Sequence, residues 1–105
     1  MGWRQLGRDI DGEAADNNSG YSVSLNHDGT IVAIGAIFND GSRGHVRIYR
    51  YNGAAWRQLG RDIDGEAADD FSGTSVSLNH DGTIVAIGAE GPDGARGHVR
   101  IYKYI

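Results

Sequence analysis

SVSLNHDGTIVAIGA, residues 22–36, recurs letter for letter at residues 75–89, 53 positions later. In each copy two runs rich in β-branched and apolar residues, 22–25 and 30–34 in the first, flank the tetrapeptide Asn26-His27-Asp28-Gly29. Asp-Gly supplies the positive φ angles that a tight turn between twisted strands needs, so each copy predicts a β-hairpin. Its second strand, Ile31-Val32-Ala33-Ile34, is apolar at consecutive rather than alternate positions. That pattern predicts a strand covered on both faces of its sheet.

The duplication extends well beyond the hairpin. Residues 3–52 and 56–105 are identical at 41 of 50 positions and differ at Asn17/Asp70, Asn18/Phe71, Tyr21/Thr74, Ile37/Glu90, Phe38/Gly91, Asn39/Pro92, Ser42/Ala95, Arg50/Lys103 and Asn52/Ile105. A period of this length marks one supersecondary unit used twice. Near-identity of the copies, and ends that fall at repeat boundaries, are the expectation for an engineered or excised pair of repeats. Each unit holds four strand-like segments: WRQLG at 3–7 and 56–60, the two hairpin strands at about 21–25 and 30–36, and HVRIYRY at 45–51. In the last, alternation places Val46 and Ile48 on one face and Arg47, Tyr49 and Tyr51 on the other. A polar loop, 8–20, separates the first segment from the hairpin, and Asn52-Gly53 turns the chain into the next WRQLG. No segment has a helical period with caps, and 17 glycines against one proline suit short strands joined by tight turns, so the chain reads as all-β.

Composition narrows the function. The net charge is −4 and a single lysine accompanies nine arginines, which leaves no continuous basic surface for nucleic acid or an anionic membrane. There is neither an apolar run of bilayer length nor a basic-then-apolar leader. Without cysteine there is no disulfide framework and no thiolate chemistry, which leaves the compartment undetermined.

Phe71-Ser72-Gly73-Thr74-Ser75-Val76, then Asp81-Gly82, then Val85-Ala86-Ile87-Gly88-Ala89, then Gly97-His98-Val99-Arg100-Ile101-Tyr102 resembles the FG-GAP repeat of integrin-type β-propellers. The likeness covers nearly the whole chain, twice. It departs where Phe-Gly has become Asn18-Ser19-Gly20 or Phe71-Ser72-Gly73, where proline is missing after Gly-Ala, and in a shorter turn. The resemblance implies four-stranded antiparallel blades in which SVSL is the innermost strand A, TIVAIGA is B, HVRIYRY is C and WRQLG is the outer strand D. The chain then divides into 1–52, an outer strand (3–7) for a neighbouring chain's blade plus A, B and C of blade 1, and 53–105, strand D of blade 1 (56–60) plus A, B and C of blade 2. One molecule's surplus strand is the next molecule's deficit. The expected partner is therefore the chain itself, closing a ring head to tail, with six blades as a homotrimer or eight as a homotetramer. Trp3, Arg4, Gln5, Leu6, Val99, Ile101 and Tyr102 are the expected oligomer interface. The residues leave the location unknown, and the resemblance alone suggests an extracellular one.

Chemistry-bearing residues are weighed against that scaffold. Integrin-type repeats often carry a calcium loop between A and B, but Asn26-His27-Asp28-Gly29-Thr30 offers one carboxylate where a hard cation needs six to eight oxygens, so this stretch reads as a plain turn. The acidic string Asp9, Asp11, Glu13, with its copy Asp62, Asp64, Glu66, begins like a cation loop and lacks the bidentate glutamate of an EF-hand; solvated carboxylates, some paired with arginine, are the expectation, with no metal or other cofactor. The histidines lack zinc-ligand spacing and no nucleophile elbow is present, so no catalytic site is expected. Seven of the nine differences between copies fall in the D-to-A and B-to-C loops, which leave a propeller on one face. Asn18, Tyr21, Ile37, Phe38, Asn39, Phe71 and Glu90 there form the candidate ligand face for a protein or a glycan, with Ile37 expected to be exposed. The reading is a self-assembling scaffold, and the alternative is an extracellular-type binding module.

Overall fold

In the computed structural model, which describes residues 2–12, 14, 17–91 and 96–105, the chain is all-β and forms two antiparallel sheets. The first is built from β1 (Ser19–Leu25), β2 (Ile31–Ala36), β3 (His45–Tyr51), β4 (Trp56–Gln58) and β5 (Ile63–Asp64). Its order is β1-β2-β3-β4, and β5 follows β4 along the same edge of β3. The second holds β6 (Ser75–Leu78), β7 (Ile84–Ala89) and β8 (His98–Lys103), in that order. A four-residue helical turn, α1 (Asn39–Ser42), lies in the loop between β2 and β3 and is the one helix among the described residues. No described helix is long and apolar enough to cross a membrane.

Both hairpins form as the repeated stretch predicts. Val23 pairs with Ile34 and Leu25 with Val32; in the second copy Val76 pairs with Ile87 and Leu78 with Val85. Side-chain hydrogen bonds lock each turn. Asp28 Oδ1 accepts from the Thr30 hydroxyl (2.6 Å) and amide (3.1 Å), and Asn26 Oδ1 accepts from the Ile31 amide (3.0 Å). Asp81, Thr83, Asn79 and Ile84 repeat the arrangement at 2.6, 3.0 and 3.0 Å. Each turn carboxylate is thus engaged by the turn itself.

Two segments depart from the sequence reading. Residues 61–64 lie inside the expected polar loop, yet Ile63 pairs with Val46 and Asp64 with His45. The apolar Ile63 draws this segment onto the core edge, where it and Leu59 each pack against the buried cluster. Residues 3–7 belong to no strand, and Trp3 is fully exposed at 102%. Their copy at β4 is a strand because β3 offers it a free edge, pairing Tyr51 with Trp56 and Tyr49 with Gln58.

The core lies between the sheets. Ile31, Ala33, Val46 and Ile48 share one face of the first sheet, since Ala33 pairs with Ile48 and Gly35 with Val46. They pack against Val76, Leu78, Val85 and Ile87 of the second sheet, with Leu59 and Ile63 at the margin. The approach is closest at glycine: Gly44 makes a parallel bridge to Ser72 at φ +79°, and a Cβ there would collide with the Ser72 backbone. Gly29 has a similar φ of +76° but open space around it. Gly44→Ala is therefore expected to cost more than Gly29→Ala, which carries only backbone strain of about 1–2 kcal/mol. Urea unfolding midpoints of the two variants check the order.

Candidate functional site

Two sheet faces carry apolar side chains that the fold leaves exposed. Ile84, Ala86, Val99 and Ile101 are the copies of Ile31, Ala33, Val46 and Ile48, and by register they occupy the face of the second sheet that points away from the first. Val46 is 0% exposed and Ile48 7%, whereas Val99 is 67% and Ile101 70% exposed. The converse holds for the first sheet: Val76 and Leu78 pack on the core, while their copies Val23 and Leu25 are 63% and 58% exposed. Each open face is thus the sequence copy of one half of the interface that is closed inside the chain. Two stacked sheets cannot bring their outer faces together.

The N-terminal segment extends this repetition. A Cβ on Gly7 would stand 3.4 Å from Cε1 of Tyr51, and one on Gly60 would stand 3.3 Å from Cε1 of Tyr104, the same pair one repeat later. Gln5 Nε2 donates to Asp9 Oδ1 at 2.8 Å, just as Gln58 Nε2 donates to Asp62 Oδ1 at 2.7 Å. The Trp56 indole N–H also donates to the Leu6 carbonyl, at 2.8 Å. Residues 5–9 therefore stand towards the first sheet much as 58–62 stand towards the second, although no β3-like edge pairs with them. Trp3, Arg4, Gln5 and Leu6 are exposed, as are Val99, Ile101 and Tyr102.

The loop between β2 and β3 meets the loops that precede β1 and β6. The Phe71 amide donates to the Ser42 carbonyl (2.9 Å), the Asp69 amide to that of Gly41 (3.2 Å) and the Phe38 amide to that of Asn17 (3.3 Å). Phe38, 44% exposed, stands edge-on to Phe71 at 6.0 Å between centroids. Asn18, Tyr21 and Glu90 are exposed. Ile37 corrects the sequence reading: it is 6% exposed and belongs to the buried apolar set, because β2 carries its burial one residue past its own end. The side chain of Asn39 lies outside the described residues.

The acidic string of the second repeat separates into two groups. Asp62 accepts from Arg47 through both oxygens (2.8 and 2.9 Å) and forms, with His45 and Asp64, a cluster whose candidate ligand atoms lie within 4.8 Å of one another. Glu66 instead joins Asp70 and His98 in a second such cluster, and its Oε1 also pairs with Arg100 at 2.6 Å. In the first repeat Asp9 bonds Gln5, and Glu13 lies outside the described residues. Sequence reasoning missed His45, Asp70 and His98 as members of these groups. Both histidines open a strand and come to the acidic loops only through tertiary pairing, such as His45 opposite Asp64. The histidines of the turns, His27 and His80, stack at 4.0 Å and mark the close approach of the two hairpins.

The Arg47 hydrogen bonds hold the Asp62 carboxyl below its ordinary pKa, against the opposing effect of partial burial. The Arg100 hydrogen bond lowers that of exposed Glu66, as the Thr30 and Thr83 hydroxyls do for Asp28 and Asp81. Geometry and electrostatics together define a duplicated all-β protein with two open apolar sheet faces. Comparison with protein families, curated proteins and solved structures finds no match for this chain.

Because the folded pKa of Asp62 is depressed, its contribution to stability is complete above the unfolded value of about 4 and fades as pH falls through the folded value. Asp62→Asn is expected to cost about 1 kcal/mol at pH 7. The difference from the parent protein should vanish in urea titrations carried well below pH 4.

Proposed function

We propose that the protein is a self-assembling β-propeller module, a structural scaffold without catalytic activity, whose chains associate head to tail into a closed ring. The observation that carries this reading is the copy relation between the open faces. Ile84, Ala86, Val99 and Ile101 of one chain would receive Val23 and Leu25 of the next, as Ile31, Ala33, Val46 and Ile48 receive Val76 and Leu78 within the chain. The placement of residues 5–9 supports it too, since Gly7 lies against Tyr51 as Gly60 lies against Tyr104. In the ring this segment would pair with the neighbour's β8, and Arg100 would gain that chain's Asp9 as Arg47 has Asp62. The pairing would also cover the open edge of β8, which otherwise templates aggregation.

Magnitudes favour a ring over a dimer. Covering Val23, Leu25, Ile84, Val99 and Ile101, each already partly shielded, stabilises by on the order of 5–10 kcal/mol. Bringing two chains together costs about 4–15 kcal/mol. One open interface is marginal, while ring closure adds its last interface without a further loss of translational freedom. Six blades from three chains or eight from four are the expected rings.

Light scattering at micromolar concentration should return a mass of three or four chains, and a single species of 11.2 kDa would sink the proposal. Ile101→Asp should release folded monomer with unchanged far-ultraviolet circular dichroism. Val46→Ala and Val99→Ala should destabilise the assembly about equally, whereas in a lone chain the exposed Val99 would change stability by no more than about 0.5 kcal/mol.

A second reading, a protein- or glycan-binding module, rests on the aromatic pair Phe38 and Phe71 on the loop face. Binding on broad glycan or protein panels that disappears with Phe38→Ala would favour it, and silence across both would remove it.

A further inference from the structure

We propose that Glu66, Asp70 and His98 form a binding site for a zinc-class divalent cation, one per chain. All three residues belong to one molecule, so the site takes its protein donors from a single chain and can be tested whether or not the ring proposed above forms. Their candidate donor atoms, one carboxylate oxygen from each acid and one ring nitrogen, lie within 4.8 Å of one another.

Asp70 is the residue that points to a ligand. It is 1% exposed, and its Oδ2 accepts from the backbone amides of Glu66 (3.0 Å) and Ala67 (3.3 Å), which fixes the carboxylate. Its Oδ1 is buried and has no hydrogen-bond donor among the described residues. A desolvated anionic oxygen without a donor is a costly arrangement, and a bound cation relieves it. His98 supplies a borderline nitrogen donor from the first position of β8. Glu66 holds Arg100 through Oε1 and has a second oxygen to offer.

The donor set selects the metal. One imidazole with two carboxylates, completed by water, suits zinc and its neighbours, whereas calcium demands six to eight oxygens. Separations of up to 4.8 Å are wider than a closed tetrahedral shell, and the exposed Glu66 side chain is the one with room to swing in. The first repeat carries Asn17 where the second carries Asp70, so it lacks the buried carboxylate.

That difference provides the control. Asp70→Asn installs the residue that the same fold already holds at position 17. Calorimetric titration of the whole chain with zinc chloride should show one zinc per chain. Asp70→Asn should weaken binding at least tenfold while leaving the melting midpoint of the metal-free protein within a few degrees, and Glu66→Gln provides a second variant at an exposed position. Cobalt substitution should give visible absorption that His98→Ala abolishes. Failure to take up zinc would overturn the proposal, as would zinc uptake that both carboxylate variants leave unchanged, which would place the metal elsewhere. Calcium bound as tightly as zinc would overturn the assigned donor set.

Discussion

A sheet whose central strand is apolar on both sides has to be covered twice. β2 imposes this requirement, because Ile31 and Ala33 face one way and Val32 and Ile34 the other. β7 imposes it again with the same residues. Stacking the two sheets covers one face of each; on the other face of the first sheet the central Val32 and Ile34 are still buried while Val23 and Leu25 beside them stay exposed, and on the second sheet Ile84, Val99 and Ile101 stay exposed. The exposed Val23, Leu25, Ile84, Val99 and Ile101 are the remainder of that arithmetic, and the proposed ring is the arrangement that satisfies it with no new kind of contact.

Identical sequence in unlike surroundings shows how much of this structure is environmental. Val46 and Val99 share a local sequence, yet one is wholly buried and the other largely exposed. Arg47 takes the carboxylate of Asp62 from the following outer segment, while Arg100, with no such segment beside it, takes Glu66. WRQ is a strand at 56–58, where β3 offers an edge, and is unpaired at 3–7, where none is available. Backbone hydrogen bonds need a partner, so a strand is a property of a pair of segments rather than of one.

The positions where the repeats differ gather around loops that touch. Asn17 and Asp70 are both buried and each leaves one side-chain atom, Nδ2 and Oδ1, without a hydrogen-bond partner among the described residues; a buried anion is the costlier of the two. The same loops carry Phe38 and Phe71, so variation between the copies is concentrated where side chains can be exchanged without disturbing the stacked sheets.

The sequence by itself determined the hairpins, the turn chemistry of Asn26 to Thr30, the four-segment unit and the two-sided apolar strand, because each is written in residues close along the chain. Period and turn residues act locally and do not depend on what packs against them. Tertiary structure decided the rest. Ile63 joined the sheet edge although the loop around it is polar, and Ile37 went inside as the continuation of β2, since an apolar residue beyond a strand is buried or exposed according to the surface it lands beside. It also decided that Glu66 and Asp70 meet His98, which lies 32 residues beyond Glu66 and reaches it only when β8 is laid down beside β7.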